Sequence, residues 1–267
     1  MGRHRSVVVV PVLLGTSGWQ YRHWRGRFYP AGVPQRCWLE YYADRFSTVE
    51  VNNAFYRLPD RAVFEAWRNR TPADFVVTVK ASRYLSHVRR LRDPAEPVQR
   101  LVERAGGLGP KLGPFLLQLP PDFRCDLGLL DAAVGCFPAP LRVAVEVRHA
   151  SWWVDGLAQL LSTHNAALCL ADSPARRGPV WKTADWGYIR FHAGRSAPVP
   201  CYGRGALASW ASRLAEQWAP ADDVFAYFNN DGLGCALRDS VWFAQELRKV
   251  GLEPTRVPAS VRETPVG

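Results

Sequence analysis

Two carboxylates on strand-like stretches are the first groups in this chain that could do chemistry. Thr48-Val49-Glu50-Val51-Asn52 and Arg142-Val143-Ala144-Val145-Glu146-Val147-Arg148 alternate apolar and polar positions. Successive strand side chains point to opposite faces, so the valines share one face and Glu50 with Asn52, or Glu146 with Arg148, share the other. Two carboxylates in one site can divide into general acid and general base when their surroundings differ. Phe75–Lys80 and Tyr188–His192 alternate in the same way and add Lys80, Arg190 and His192. The catalytic set read from these stretches is Glu50, Glu146, Lys80 and His192. A hydrolase, or an isomerase or lyase with carboxylate acid/base chemistry, fits it. Glu50, Glu146, Asp172 and His192 are also oxygen and imidazole donors of the kind that bind Mg²⁺, Mn²⁺ or Zn²⁺. Nearby arginines would compete for those carboxylates, and no compact motif such as HExxH is present. No cofactor is evident; a divalent metal is the one candidate.

These groups need a scaffold that brings strand ends together. Eight strand-like runs occur, at 12–17, 48–52, 75–80, 114–119, 142–148, 167–172, 188–192 and 223–229, mostly separated by helical patterns. Strict alternation implies a parallel sheet, and eight units imply a single TIM-like (β/α)8 barrel. The stretch 173–187 is too rich in Pro, Gly and charge for a helix and is expected to be an irregular loop between strands six and seven. Active groups of such barrels lie at the C-terminal ends of the strands. Those ends and the loops after them give the expected substrate-binding set: Trp19, Tyr21, Asn52, Tyr56, Arg57, His87, Gln118, Arg148, Trp152, Asp172, Arg190, Asn229 and Asn230. Trp19, Trp24 and Trp152 are rings that could stack on a sugar or base. The run Arg83–Arg92 is basic with Tyr84 and His87 interleaved and follows strand three directly.

Composition bounds the rest. With 267 residues, 48% of them hydrophobic, the chain can bury a large core. Residues 1–11 read as an N-terminal extension, 12–251 as one barrel domain, and 252–267 as a tail with little apolar periodicity, expected to be poorly ordered. The net charge is +10, nearly all of it arginine, because the only lysines are Lys80, Lys111, Lys182 and Lys249. A basic balance favours anionic partners but says nothing about fold. The six cysteines form no CxxC pair or zinc-like spacing and read as reduced thiols. The valine run at 7–10 is cut by Pro11, too short for a membrane span. A cytoplasmic protein with no membrane partner is expected.

In combination, Gly15-Thr16-Ser17-Gly18-Trp19, Phe28-Tyr29-Pro30, Thr48-Val49-Glu50-Val51-Asn52, Phe55-Tyr56-Arg57-Leu58-Pro59, Val79-Lys80-Ala81, Gln118-Leu119-Pro120, Val145-Glu146-Val147-Arg148, Ser151-Trp152 and Phe228-Asn229-Asn230-Asp231 resemble the YecE-like family, domain of unknown function seventy-two. The resemblance covers roughly residues 12–250 and implies a barrel related to the TIM fold; it implies no reaction. Two departures stand out. The family's Arg-Leu-His-Gly is here Arg190-Phe191-His192-Ala193, with the glycine one residue later. Its Asn-Ala after the final loop is here Arg238-Asp239, on a helix. The favoured reading is an enzyme acting on a small polar or anionic substrate, sugar- or phosphate-like. The alternatives are a nucleic-acid-binding protein or metal-dependent phosphodiesterase, and a non-catalytic ligand-binding protein. A basic stripe running out of the mouth would favour nucleic acid.

Overall fold

The alternating stretches become the strands of a closed barrel. The computed structural model describes residues 11–174, 178–197, 200–218 and 222–261. Its elements run β1 (Pro11–Thr16), α1 (Trp38–Ala43), β2 (Thr48–Val51), α2 (Asn53–Tyr56), α3 (Arg61–Asn69), β3 (Val76–Lys80), α4 (Ala95–Ala105), β4 (Leu112–Gln118), α5 (Leu127–Gly135) and β5 (Val143–Glu146). They continue with α6 (Asp155–Thr163), β6 (Ala167–Asp172), β7 (Gly187–Phe191), α7 (Arg204–Gln217), β8 (Val224–Phe228), α8 (Cys235–Lys249) and β9 (Glu253–Pro254). Strands β2 to β8 pair in chain order, β8 pairs with β1, and β1 closes the ring on β2, every ladder being parallel. β1 and β2 approach so closely that a Cβ on Gly15 would lie 2.3 Å from the Thr48 carbonyl oxygen, which requires glycine there.

α5 has no clear period in the sequence, whereas α3 is amphipathic. α3 lies in a charged stretch and buries only Phe64 and Trp67. α5 is apolar on most sides, so its period is weak; Asp126 starts it by accepting a hydrogen bond from the Leu129 amide at 3.0 Å. Between β6 and β7 the described residues contain no helix, as expected; Ala175–Arg177 lie outside the described residues. Residues 1–10 and 262–267 also lie outside them.

The segment after α8 differs from the expected loose tail. Glu253 and Pro254 pair with Pro11 and Val12 of β1. Thr255 donates to the Val12 carbonyl at 2.9 Å, and Arg256 binds Asp74 and the Ala43 carbonyl. These ties run mostly to backbone, so no hydrophobic period announces them.

Strand parity separates two cores. Val12, Leu14, Val49, Val51, Val77, Val79, Leu117, Val143, Val145, Ile189 and Phe191 belong to the larger cluster, with the helices. Leu116, Ala144, Ala167, Cys169, Trp186, Tyr188, Phe225 and Tyr227 form a second cluster inside the barrel. The interior grows more polar towards the C-terminal end. Midway, the Tyr227 hydroxyl lies 2.7 Å from both Thr48 Oγ1 and Thr78 Oγ1, joining three strands across the axis. Tyr227→Phe leaves the Thr78 hydroxyl without its partner in a dry interior and Thr48 Oγ1 with only the Val76 carbonyl at 2.9 Å, so a loss of about 1–3 kcal/mol is expected in urea unfolding. An unchanged midpoint would show that these hydroxyls find other partners.

Candidate functional site

One arginine gathers the strand ends. Arg190, on β7 and 1% exposed, sends Nη2 to Glu50 Oε1 at 2.7 Å and Nη1 to Glu146 Oε2 at 2.6 Å. Both glutamates are fully buried. Glu50 Oε2 accepts from the Tyr188 hydroxyl at 2.6 Å, and Asn52 Nδ2 lies 3.3 Å from Glu50 Oε1. Arg148 Nε donates to Glu146 Oε1 at 3.0 Å, and His192 Nε2 lies 3.3 Å from the same oxygen. With Asn229 Nδ2 as donor to His192 Nδ1 at 3.0 Å, the imidazole proton stays on Nε2, facing Glu146. Strand alternation therefore delivers Glu50, Asn52, Lys80, Gln118, Glu146, Arg148, Arg190 and His192 to one mouth.

The electrostatics decide what these groups can do. Burial alone would push both carboxyls up, but Arg190 and the hydrogen bonds around them prevail. Glu50 is held below the ordinary glutamate value and Glu146 well below it. Neither is suited to exchange protons near neutral pH. Lys80 behaves oppositely: burial, then the Arg190 charge, outweighs Glu50 and Glu146 and brings its ammonium down to about 8. That reverses the simple expectation that nearby carboxylates raise a lysine. The Lys80 amine sits 4.1 Å from the centre of the Phe55 ring and has no hydrogen-bond partner among the described residues. His87 meets the same ring edge-on at 5.0 Å, its basicity lowered by burial and by Lys80.

The remaining expected residues divide. Gln118 is buried and in register with Glu146. Tyr21 lies beside the mouth, its hydroxyl donating to the Ser17 carbonyl at 2.6 Å. Tyr56 and Arg57 stand exposed on the rim. Asp172 lines a cavity of about 800 Å³ beside the ends of β5, β6 and β7, with Arg148, Trp153, Tyr202 and Arg213. Trp19 and Trp152 are core residues rather than stacking platforms. Trp19 packs edge-on against Trp67, while Trp152 is fully buried and donates from Nε1 to the Phe123 carbonyl at 2.8 Å. Trp24 is likewise enclosed. Asn230 turns away from the mouth and donates to Asp239 at 2.7 Å.

Sequence reasoning misses three features. Tyr188, the partner of Glu50, has the look of an ordinary aromatic strand residue, and only its parity with Arg190 points it inward. Asp239 lies on a helix but is fully buried, and it accepts from Asn230, Arg238 and the Tyr202 amide. The Arg238-Asp239 departure is therefore structural. The third is a disulfide joining Cys201, in the loop after β7, to Cys235 at the start of α8, with Cα atoms 5.0 Å apart. This corrects the reading of six reduced thiols; a separation of 34 residues carries no signal in sequence. The displaced glycine also finds its reason. A Cβ on Gly194 would lie 1.9 Å from the Cys201 carbonyl oxygen, so the loop's two arms can meet only at glycine.

The metal reading fits the donors poorly. Every oxygen of Glu50 and Glu146 already faces an arginine, tyrosine, asparagine or histidine donor. Among the described residues no three His, Cys, Asp or Glu side chains converge as a metal site. Among them too, no helix is long and apolar enough to cross a membrane.

A closed parallel barrel with its ionic groups at the C-terminal mouth defines an α/β protein of the TIM-like class. The chain belongs to the family described as "Protein of unknown function DUF72", which residues 13–262 match. It is 31% identical over 146 residues to UPF0759 protein YecE of Escherichia coli (strain K12), a match spanning 54% of this chain and 51%, about half, of that protein. It is 23% identical to UPF0759 protein YunF of Bacillus subtilis (strain 168), over 84% of this chain and 90% of that one. The crystal structure of a DUF72 family protein from Thermotoga maritima MSB8 superposes with a TM-score of 0.79 at 25% identity, covering 89% of this chain and 99% of the other. A DUF72 protein from Enterococcus faecalis V583 shares the fold, with a TM-score of 0.73 at 20% identity.

Glu50→Gln removes one countercharge from a buried arginine, and breaking such a pair costs about 3–5 kcal/mol. Urea unfolding at neutral pH is expected to show that loss. Because both glutamates titrate below their unfolded value of about 4.3, their stabilisation is present above it and disappears as pH falls through the folded values. The wild-type advantage over Glu50→Gln should therefore shrink in acid. An advantage independent of pH would contradict the ion-pair assignment.

Proposed function

We propose that this protein is an enzyme acting on a small polar or anionic substrate, sugar- or phosphate-like, bound at the C-terminal mouth of the barrel. Glu50 and Glu146 serve as fixed countercharges to Arg190. Lys80 and Arg148 attract the anionic group, Lys80 is the group placed to exchange protons with the substrate, and His192 holds Glu146 in place.

One observation carries this reading. Three buried polar atoms of one connected cluster have no hydrogen-bond partner: Ser17 Oγ, Asn52 Oδ1 and Arg190 Nε. The Asn52 amide links the Ser17 carbonyl, at 3.2 Å, to Glu50, and Glu50 links to Arg190. Each buried unsatisfied group costs roughly 1–3 kcal/mol, and a bound ligand or ordered water removes that cost. Beside them stands the unpartnered Lys80 amine. Two acceptor-capable oxygens, a guanidinium nitrogen and an ammonium make a natural receptor for a hydroxylated anion.

Nucleic acid is the second reading, favoured by the rim. Arg57, Arg83, Arg92 and Arg124 follow β2, β3 and β4, are exposed, and pair with no carboxylate among the described residues. Tyr56, 76% exposed, and Tyr84, 46% exposed, stand among them as stacking surfaces.

Thermal unfolding in the presence of inorganic phosphate, sugar phosphates and small carboxylates tests the first reading. A stabilisation is expected that weakens as pH rises through about 8, where Lys80 loses its proton, and that Lys80→Met abolishes. Stabilisation by none of these anions, together with salt-sensitive binding of single-stranded oligonucleotides that Tyr56→Ala weakens, would instead support the second.

A further inference from the structure

We propose that Lys80 is a covalent-binding residue that forms an imine with a substrate carrying an aldehyde or ketone beside its anionic group. The inference rests on the anion-binding reading above and names the substrate's reacting group.

The four lysines of the chain occupy very different settings. Lys182 lies 2.6 Å from Asp222 and Lys249 2.8 Å from both oxygens of Glu246. Lys111 donates to the Arg68 and Thr71 carbonyls and to Thr71 Oγ1, at 2.5, 2.6 and 3.0 Å. Their amines are engaged as donors. Lys80 alone has no oxygen acceptor among the described residues, although it is 8% exposed and sits at the end of β3 in a mouth crowded with polar groups. A buried ammonium without an acceptor is poorly solvated, and desolvation favours the neutral, nucleophilic amine. The charged groups facing it are Arg190 and Arg148, which oppose its protonation, and Glu50 and Glu146, which favour it. Both glutamates are already neutralised by arginines, so the amine gives up its proton more readily than an ordinary lysine while the ammonium still predominates at neutral pH. With its proton leaving near pH 8, Lys80 carries on the order of a hundredfold more free amine at neutral pH than an ordinary lysine. Phe55 supplies one apolar wall, and His87 meets the same ring edge-on at 5.0 Å.

The chemistry balances without a further reagent. The Lys80 nitrogen lone pair attacks the carbonyl carbon, the C–N bond forms, and the carbonyl π pair moves to oxygen. A proton passes from nitrogen to that oxygen, giving a carbinolamine. Loss of the hydroxyl with a second proton releases one water and leaves the C=N bond. Protonated, this imine draws electrons from the neighbouring carbon and so eases breaking of a C–H or C–C bond there. Water returns the free amine and the carbonyl product.

Pyridoxal 5′-phosphate is a suitable probe, being an aldehyde with a phosphate. The full-length protein is incubated with it, reduced with borohydride, digested and mapped by mass spectrometry. The expected result is a reduced adduct on Lys80 in preference to Lys111, Lys182 and Lys249, diminished by excess inorganic phosphate and absent from Lys80→Arg. Reduction in the presence of pyruvate should give a second, smaller adduct at the same residue. Equal labelling of the exposed lysines, or no adduct at Lys80 with either carbonyl, overturns the proposal. If phosphate still stabilises the wild-type protein against heat while no adduct forms, only the covalent step falls. If neither stabilisation nor adduct is seen, the anion-binding reading falls with it.

Discussion

Arg190 is the constraint on which the barrel mouth depends. A guanidinium sealed from water must be neutralised by well-placed anions, and its fork reaches two carboxylates on different strands at once. β2 and β5 lie far apart around the ring, so Glu50–Arg190–Glu146 ties opposite walls to β7. Tyr188 and Tyr227 extend the same cross-bracing towards the apolar end, through Glu50 and through the two threonines. The lower barrel is filled with Trp186, Phe225 and small side chains. Hydrophobic burial supplies most of the stability there, while the ionic end supplies geometry.

The same constraint sorts the mouth residues into fixed and free. Glutamates bound on both oxygens cannot serve as proton carriers without dismantling the network. Positive charge left over from it, at Lys80 and at the buried Arg190 Nε that has no hydrogen-bond partner, lies in the same cluster as Ser17 Oγ and Asn52 Oδ1, which also lack partners. The loop after β7 is held next to this centre by a separate block, in which Cys201–Cys235 and the Tyr202 amide's bond to Asp239 fasten it to α8, and Asn230, from the loop after β8, donates to the same Asp239. Asp231, next in the chain, sits under His23 at 2.7 Å and binds the Trp24 indole. Burial raises its acid to about 6, so that contact stitches the first and last loops together in a pH-sensitive way.

Much of this barrel is legible in the amino-acid sequence. Period-two alternation in Thr48–Asn52 and Arg142–Arg148 determines the inward faces, and with them the placing of Glu50, Glu146 and Arg148; the same alternation in Tyr188–His192 places Arg190. What alternation cannot supply is which inward charge meets which. The glutamates read as a catalytic pair because carboxylates near each other suggest acid and base; the arginine between them makes them countercharges instead. Trp19 and Trp152 read as ligand platforms by position after a strand, but loop position does not reveal whether a ring folds back into the core. Asp239 and the Cys201–Cys235 pair depend on contacts between distant segments, and no local pattern encodes them.

Carbon-detected NMR titration of the glutamate side chains, with Glu50 and Glu146 identified by comparison with their glutamine variants, addresses the central claim most directly. Both carboxyls are expected to remain ionised as the pH falls past the ordinary glutamate range, changing only when the protein unfolds. A carboxyl at either position that takes up a proton above that range in the folded protein would contradict the countercharge assignment, and would return that residue to the role of catalytic acid.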